Sequence, residues 1–120
     1  MNPTIESARF GSITIEGVKY KHDVIIRRDG RVKKRKKKLS KEIYGTSHKL
    51  SLQEARHVYE AGVKKLIFGT GQFGKAELAE DTIEFFKQKG CQVQLLPTPE
   101  AIKAWNEAQG AVIGLFHVTC

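Results

Sequence analysis

The sequence predicts an α/β fold with a basic N-terminal β-meander, and three observations carry that prediction. From Leu50 onward, apolar helical stripes alternate with short apolar runs. A glycine follows each stripe, and the first forty residues hold only strand and turn signals. Runs without polar alternation belong to strands covered on both faces, which puts helices on each side of a central sheet.

Residues 10–15 form the first expected strand, with Ile13 and Ile15 on one face, and Glu16-Gly17 turns the chain. Val18, Tyr20 and Val24-Ile25-Ile26 make a second strand with a buried end. Asp29-Gly30 favours the φ > 0 geometry of a tight hairpin, so residues 31–35 return as a strand with basic residues along most of its length. Ser51-Leu52-Gln53-Glu54 is a capping box that opens a helix with the stripe Leu52, Ala55, Val58 and Tyr59, ended by Gly62. Residues 63–68 follow as a buried strand. A second helix carries Leu78, Ile83, Phe85 and Phe86 and stops at Gly90, before a strand over residues 91–96. The third helix starts with Thr98 as N-cap and Pro99 at the first helical position. It buries Ala101, Ile102, Trp105 and Ala108, ends at Gly110, and leads into a last strand over residues 111–116. Glycine suits the position after a helix because the left-handed conformation costs it little.

A length of 120 residues fits one domain, 1–120, with the meander and its basic arm in 1–41 and the alternating part in 50–120. No basic-then-apolar leader opens the chain, and the apolar runs fall far short of the roughly 20 residues that cross a bilayer. Cys91 and Cys120 are the only cysteines and lack C-x-x-C spacing. This opposes a zinc site or a disulfide framework, and the expectation is a cytoplasmic protein with two reduced thiols. Charge is concentrated: residues 27–41 hold ten basic residues and one acid, for +9, while the other 105 residues sum to −1.

One loop matches two phosphate-binding signatures and lacks the confirming residue of each. Gly69-Thr70-Gly71-Gln72-Phe73-Gly74-Lys75-Ala76 reads as G-x-G-x-x-G and as G-x-x-x-x-G-K. Ala76 stands where a P-loop needs a hydroxyl for Mg²⁺, and Glu77, Glu80 and Asp81 would repel a diphosphate. The next strand ends in Leu95-Leu96-Pro97, with no acid for a ribose. The glycines therefore read as a tight turn off the strand, or as an anion or small-ligand site built from backbone amides.

Were the last three strands parallel, their carboxyl ends would gather Thr70, Gly71, Thr98, His117 and Thr119 at the edge where open α/β sheets bind ligands. Tyr44, Thr46, Ser47 and His48 supply hydroxyls and an imidazole from the loop between the two halves. With Gly69, Thr70, Gly71 and His117 they form the candidate ligand cleft. Cys120 is a poor nucleophile beside a carboxylate, which raises a thiol's pKa. The candidate contacts to an anionic partner are Arg27, Arg28, Arg31, Lys33, Lys34, Arg35, Lys36, Lys37 and Lys38. No aromatic lies between Val24 and Ile43, so nucleic acid held there would be bound through phosphates and without regard to sequence. The alternative is a solvated edge strand whose lysines discourage aggregation.

Arg9-Phe10-Gly11 with Ile13, Tyr20 with Asp23, Tyr44-Gly45-Thr46-Ser47-His48, Ile67-Phe68-Gly69-Thr70-Gly71 and the ending Gly114-Leu115-Phe116-His117-Val118-Thr119-Cys120 together resemble a small domain family of unknown function. It is represented in archaea and bacteria, in a mammalian adipogenesis-associated protein and in a mitochondrial complex I assembly factor. The resemblance implies a three-layer fold with a mixed central sheet in which one strand runs against the others. It implies no established enzymatic activity, cofactor or metal. The expected function is a non-catalytic cytoplasmic binding or assembly protein with an unidentified protein partner and no membrane association. The rivals are an electrostatic nucleic-acid module through residues 27–41 and a small-molecule enzyme or sensor through residues 69–75.

Overall fold

The chain folds as β1 (Ile5–Arg9), β2 (Ser12–Ile15), β3 (Val18–Tyr20), β4 (Val24–Ile26), β5 (Val32–Lys34), α1 (Lys38–Tyr44), β6 (Lys49–Leu50), α2 (Leu52–Val58), β7 (Lys65–Thr70), β8 (Glu77–Leu78), α3 (Glu80–Gln88), β9 (Gln92–Leu96), α4 (Thr98–Glu107) and β10 (Val112–His117). This is a computed structural model describing residues 2–119, so Cys120 lies outside the described residues. Strands β5-β4-β10-β7-β9 form the central sheet, β1-β2-β3 a separate antiparallel meander, and β6-β8 a short parallel pair.

The sheet is mixed as expected. β10 runs parallel to β7, and β7 parallel to β9, while β4 is antiparallel to both β10 and β5. The strand that opposes the rest is therefore β4, and the three C-terminal strands end at one edge. Alternation along each strand sends side chains to two separate cores. Ile25, Leu66, Phe68, Ile113 and Leu115 meet Leu50, Ala55, Val58 and Phe86 on the side of α2 and α3. Val24, Ile26, Ile67, Val112 and Phe116 meet Ala101 and Trp105 of α4 and Ile5, Ile13 and Ile15 of the meander. Three layers result because every central strand is apolar on both faces.

Several boundaries differ from the sequence reading. The first strand, β1, precedes the expected one, and Phe10-Gly11 is its hairpin turn, pairing Arg9 with Ser12. Residues 18–26 are two strands in two different sheets. α1 was not foreseen, because Ser40 is its one buried residue and no apolar stripe marks it. Lysines form helix readily all the same, and Gly45 at φ 70° closes this one through a bond to the Lys41 carbonyl. α2 stops at Tyr59 and α4 at Ala108, so Gly62 and Gly110 turn the chain beyond those helix ends; only Gly90 lies directly past its cap. Leu78 belongs to β8 instead of the second predicted helix.

Cys91 is buried beside α3, and burial pushes its thiol up to about 11 from 9.0. The folded state therefore keeps a proton that the unfolded chain releases above pH 9.0. Its contribution to stability is full below that pH and falls as pH rises toward 11. Under native conditions at pH 8, Cys91 should alkylate with iodoacetamide far more slowly than the same residue in urea, as peptide mass mapping would show. Equal rates would refute the burial argument.

Candidate functional site

The β4–β5 hairpin positions the first two groups of the site. Asp23 directly precedes β4 and Arg35 directly follows β5, and the Arg35 amide donates to the Asp23 carbonyl at 3.0 Å. Arg35 is 3% exposed and Asp23 7% exposed. The guanidinium donates through Nη1 to Asp23 Oδ2 at 2.8 Å, through Nε and Nη2 to Glu54 at 2.6 and 3.0 Å, and through Nη2 to the Ser47 carbonyl at 2.9 Å. Arg35 is therefore an interior cation, correcting its place among the partner-contacting residues: two buried carboxylates require it inside.

Glu54 arrives by way of the capping box, but only half of the box forms. Ser51 Oγ caps the Glu54 amide at 3.1 Å. The Glu54 carboxylate does not return to the Ser51 amide, which donates to Ser40 Oγ instead, while the Ser40 hydroxyl donates to Glu54 Oε1 at 2.5 Å. The unforeseen α1 thus exists partly to satisfy this buried acid. Burial alone would raise the Asp23 carboxyl, but the hydrogen bond and charge of His117, the Arg35 charge and the Val118 amide hold it below its ordinary 3.8. Burial likewise opposes the Arg35 charge, and Glu54 and Asp23 overcome it and raise that group.

The end of β10 supplies the remaining members. His117, 2% exposed, places Nδ1 2.7 Å from Asp23 Oδ2, and the Val118 amide donates to Asp23 Oδ1 at 2.9 Å. His117 Nε2 lies 3.1 Å from Thr119 Oγ1. The His48 ring stands edge-on to His117 at 5.3 Å, and His117 is in register with Thr70 on β7. Thr98 is not the N-cap. Its hydroxyl donates to the His117 carbonyl at 2.7 Å and accepts from the Gly71 amide at 2.9 Å, stitching the strand ends together.

Of the candidate cleft, His48, Thr70, Gly71 and His117 therefore gather at one edge. Ser47 reaches them through its carbonyl on Arg35, and Thr46 Oγ1 accepts from the His48 amide at 3.1 Å. Tyr44 stands apart, its ring under Lys49 Nζ at 5.0 Å. Gly69 is not a turn residue: it lies within β7, and a Cβ there would sit 2.8 Å from Phe116 Cδ1. The loop's amides are largely spent, with Gly71 on Thr98 Oγ1, Gly74 on the Gly71 carbonyl and Ala76 on the Thr70 carbonyl. An anion cradle needs such amides to face a ligand.

The basic segment divides by residue type. Arg27 donates to the His57 and Val58 carbonyls at the end of α2, Arg28 to the Ala61 carbonyl, and Arg31 pairs with Asp29 at 2.9 Å. Lys33, Lys34, Lys36, Lys37 and Lys38 are exposed, and among the described residues no ion pair joins them. Lys34, Arg35 and Lys37 join Lys21, His22, Gly11, Asp23, Val118 and Thr119 around a cavity of about 310 Å³, with the Arg35 guanidinium turned to its buried carboxylates. Gly11 enters because its amide donates to the Val118 carbonyl at 2.7 Å, fixing the meander turn against the end of β10. A larger hollow of about 430 Å³ beside α4 has Arg28 as its single ionisable lining side chain. Lys21 and His22 had no motif to mark them, and Asp23 entered the sequence reading only through the resemblance; the folded hairpin brings all three beside Thr119.

Among the described residues no group of three or more His, Cys, Asp or Glu is arranged for a metal, and no helix is long and apolar enough to cross a membrane. The structure is similar to that of the conserved hypothetical protein PH1505 from Pyrococcus horikoshii OT3, at 34% identity and TM-score 0.88 over 98% of this chain and 99% of that one. It is similar to MT938 at 35% identity and TM-score 0.81, over 99% and 100% of the two chains. A Mth938-like domain from Bordetella pertussis shares the fold at 17% identity and TM-score 0.61, over 97% and 85%. Residues 5–115 match the family described as protein of unknown function (DUF498/DUF598), and the chain belongs to that family.

Proposed function

We propose that this chain is a binding protein for a small anionic ligand, seated in the cavity between the meander turn and the β4–β5 hairpin. The observation that carries the reading is the convergence of Lys21, Lys34 and Lys37 on a cavity of about 310 Å³. Among the described residues its one lining carboxylate, Asp23, is already held by Arg35 and His117. No ion pair among the described residues joins these lysines, and the volume falls within the roughly 300–1,000 Å³ of small-ligand sites. A phosphate or carboxylate there would take charge-assisted hydrogen bonds, each contributing about 1.5–3 kcal/mol. The loop at residues 69–75, with the Gly71 and Gly74 amides engaged and its fringe acidic, is the weaker seat.

Titration calorimetry and thermal melting with inorganic phosphate test this. Saturation at about 100 times Kd should add about 2.7 kcal/mol to stability. Lys34→Gln and Lys37→Gln should each weaken binding about tenfold or more. No heat and no shift at millimolar phosphate would sink the reading.

The exposure of Lys33, Lys36 and Lys38 outside the cavity favours a second reading, electrostatic binding of nucleic acid. That reading requires a steep fall of log K with log salt for a short RNA duplex. Neutralising those three lysines should then abolish binding without changing the response to phosphate.

A further inference from the structure

Building on the anion-site reading, we propose that Thr119, His117 and Asp23 form an acyl-transfer triad. Thr119 Oγ1 is its nucleophile, acting on a small acyl donor whose leaving group is anionic, such as an acyl phosphate. The Asp23 carboxylate, 2.7 Å from Nδ1, fixes the imidazole proton on that nitrogen. Nε2 then presents its lone pair to Thr119 Oγ1 at 3.1 Å, so the hydroxyl donates to it. These are the nucleophile–base and base–orienter bonds by which a triad is recognised whatever the fold. Thr119 is half-buried and lines the cavity, whereas His117 is 2% exposed, so a ligand reaches Thr119 before the imidazole.

The charges behind the triad agree. Asp23 and Glu54 carry two negative charges and Arg35 one positive, leaving one negative charge beside the imidazole. A proton taken from Thr119 brings that buried group to neutrality, which favours the transfer where the surroundings screen poorly. Asp23, Arg35 and Glu54 act as positioning residues. Lys21, Lys34 and Lys37 supply the positive rim for the leaving group.

In the reaction, Oγ1 bonds to the carbonyl carbon of the acyl phosphate while its proton passes to Nε2. The carbon–oxygen bond to phosphate breaks, and phosphate departs toward the lysines, taking up the proton from Nε2. Water then adds to the acyl-threonine, giving a proton to Nε2. The ester bond breaks, and Thr119 oxygen recovers that proton. Acyl phosphate and water become carboxylate, phosphate and a proton, with nothing oxidised or reduced.

Acetyl phosphate is the probe, with peptide mass mapping and phosphate release as readouts. Wild type should carry an acetyl group on Thr119 and turn the reagent over. Thr119→Ser should retain both properties and Thr119→Ala lose both. His117→Gln should lower the rate about 10²-fold or more. Because His117 is buried, its variant is interpreted beside Thr119→Ala, which removes a hydroxyl and a methyl from a half-buried position without emptying the core. Acetylation confined to lysines, and equal in wild type and Thr119→Ala, overturns the triad. If inorganic phosphate still binds in that case, the anion site stands without it; if phosphate does not bind wild type, both fail.

Discussion

Arg35→Met is expected to lower the unfolding free energy by about 3–5 kcal/mol, measured by urea denaturation at neutral pH. The loss does not come from the contacts alone. It comes from leaving Asp23 and Glu54 inside the protein with no cation between them, since both lie in contact with the guanidinium and are almost fully buried. Replacing both members should cost less than the sum of the singles. In Arg35→Met/Glu54→Met neither Glu54 nor Arg35 is left as a charge without the other, and Asp23 keeps His117 and the Val118 amide. Additivity within about 0.5 kcal/mol would show that the pair is not coupled as its geometry requires. The acid limb follows from the same group. The Asp23 carboxyl is held below 3.8 in the folded state, so the unfolded chain binds that proton first as pH falls. Its stabilisation is full above 3.8 and disappears as pH drops through the lower folded value. Asp23→Asn should flatten that part of a stability-versus-pH curve.

This network also marks where sequence reasoning ran out. The apolar runs at Leu66-Ile67-Phe68 and Val112-Ile113 announced strands covered on both faces, and the structure fills those faces with separate clusters. Glu16-Gly17 and Asp29-Gly30 announced their hairpins, and both glycines have positive φ. Such signals are local, because a turn or a pleat is decided by a few adjacent residues. Arg35 looked like one more cation in a basic run because its partners are 12 and 19 positions away. Nothing in a run of lysines and arginines states which member points inward. Glu54 looked like a capping acid, and its diversion to Arg35 and Ser40 depends on α1, a helix with no apolar stripe to reveal it. The place of His117 depended on the direction of the last strand, which a single sequence leaves open and which the parallel pairing of β10 with β7 decides. Asp23 lies 94 positions away and joins it only through the antiparallel pairing of β4 with β10. The glycine loop was legible in part: its tight turn is local and forms at residues 71–74, whereas the seat that Gly69 gives the Phe116 ring depends on a distant strand.

Phe116→Ala should cost about 3–5 kcal/mol, comparable to Arg35→Met but for a wholly apolar reason. The ring is fully buried and lies over two glycines on adjacent strands, Gly114 of its own strand and Gly69 of β7, its register partner. Trp105 closes the other side edge-on, with ring centroids 5.9 Å apart. A Cβ on Gly114 would lie 2.5 Å from Phe116 Cε2 and 3.0 Å from Trp105 Cζ3. Neither ring can swing aside, because both belong to the close-packed core. Gly114→Ala should therefore destabilise by about 1–3 kcal/mol through overpacking, although the position lies in a strand, where alanine would otherwise be favoured over glycine. Gly114 is not required for its backbone freedom but for the absence of a side chain. The double variant Gly114→Ala/Phe116→Ala separates these explanations. With the ring gone the new methyl enters the vacated space, so the double variant should be no less stable than Phe116→Ala, and the coupling should be at least about 1 kcal/mol in its favour. If the two losses simply add, the glycine is serving the backbone, and the interpretation of Gly69 and Gly114 as paired seats for one ring is wrong.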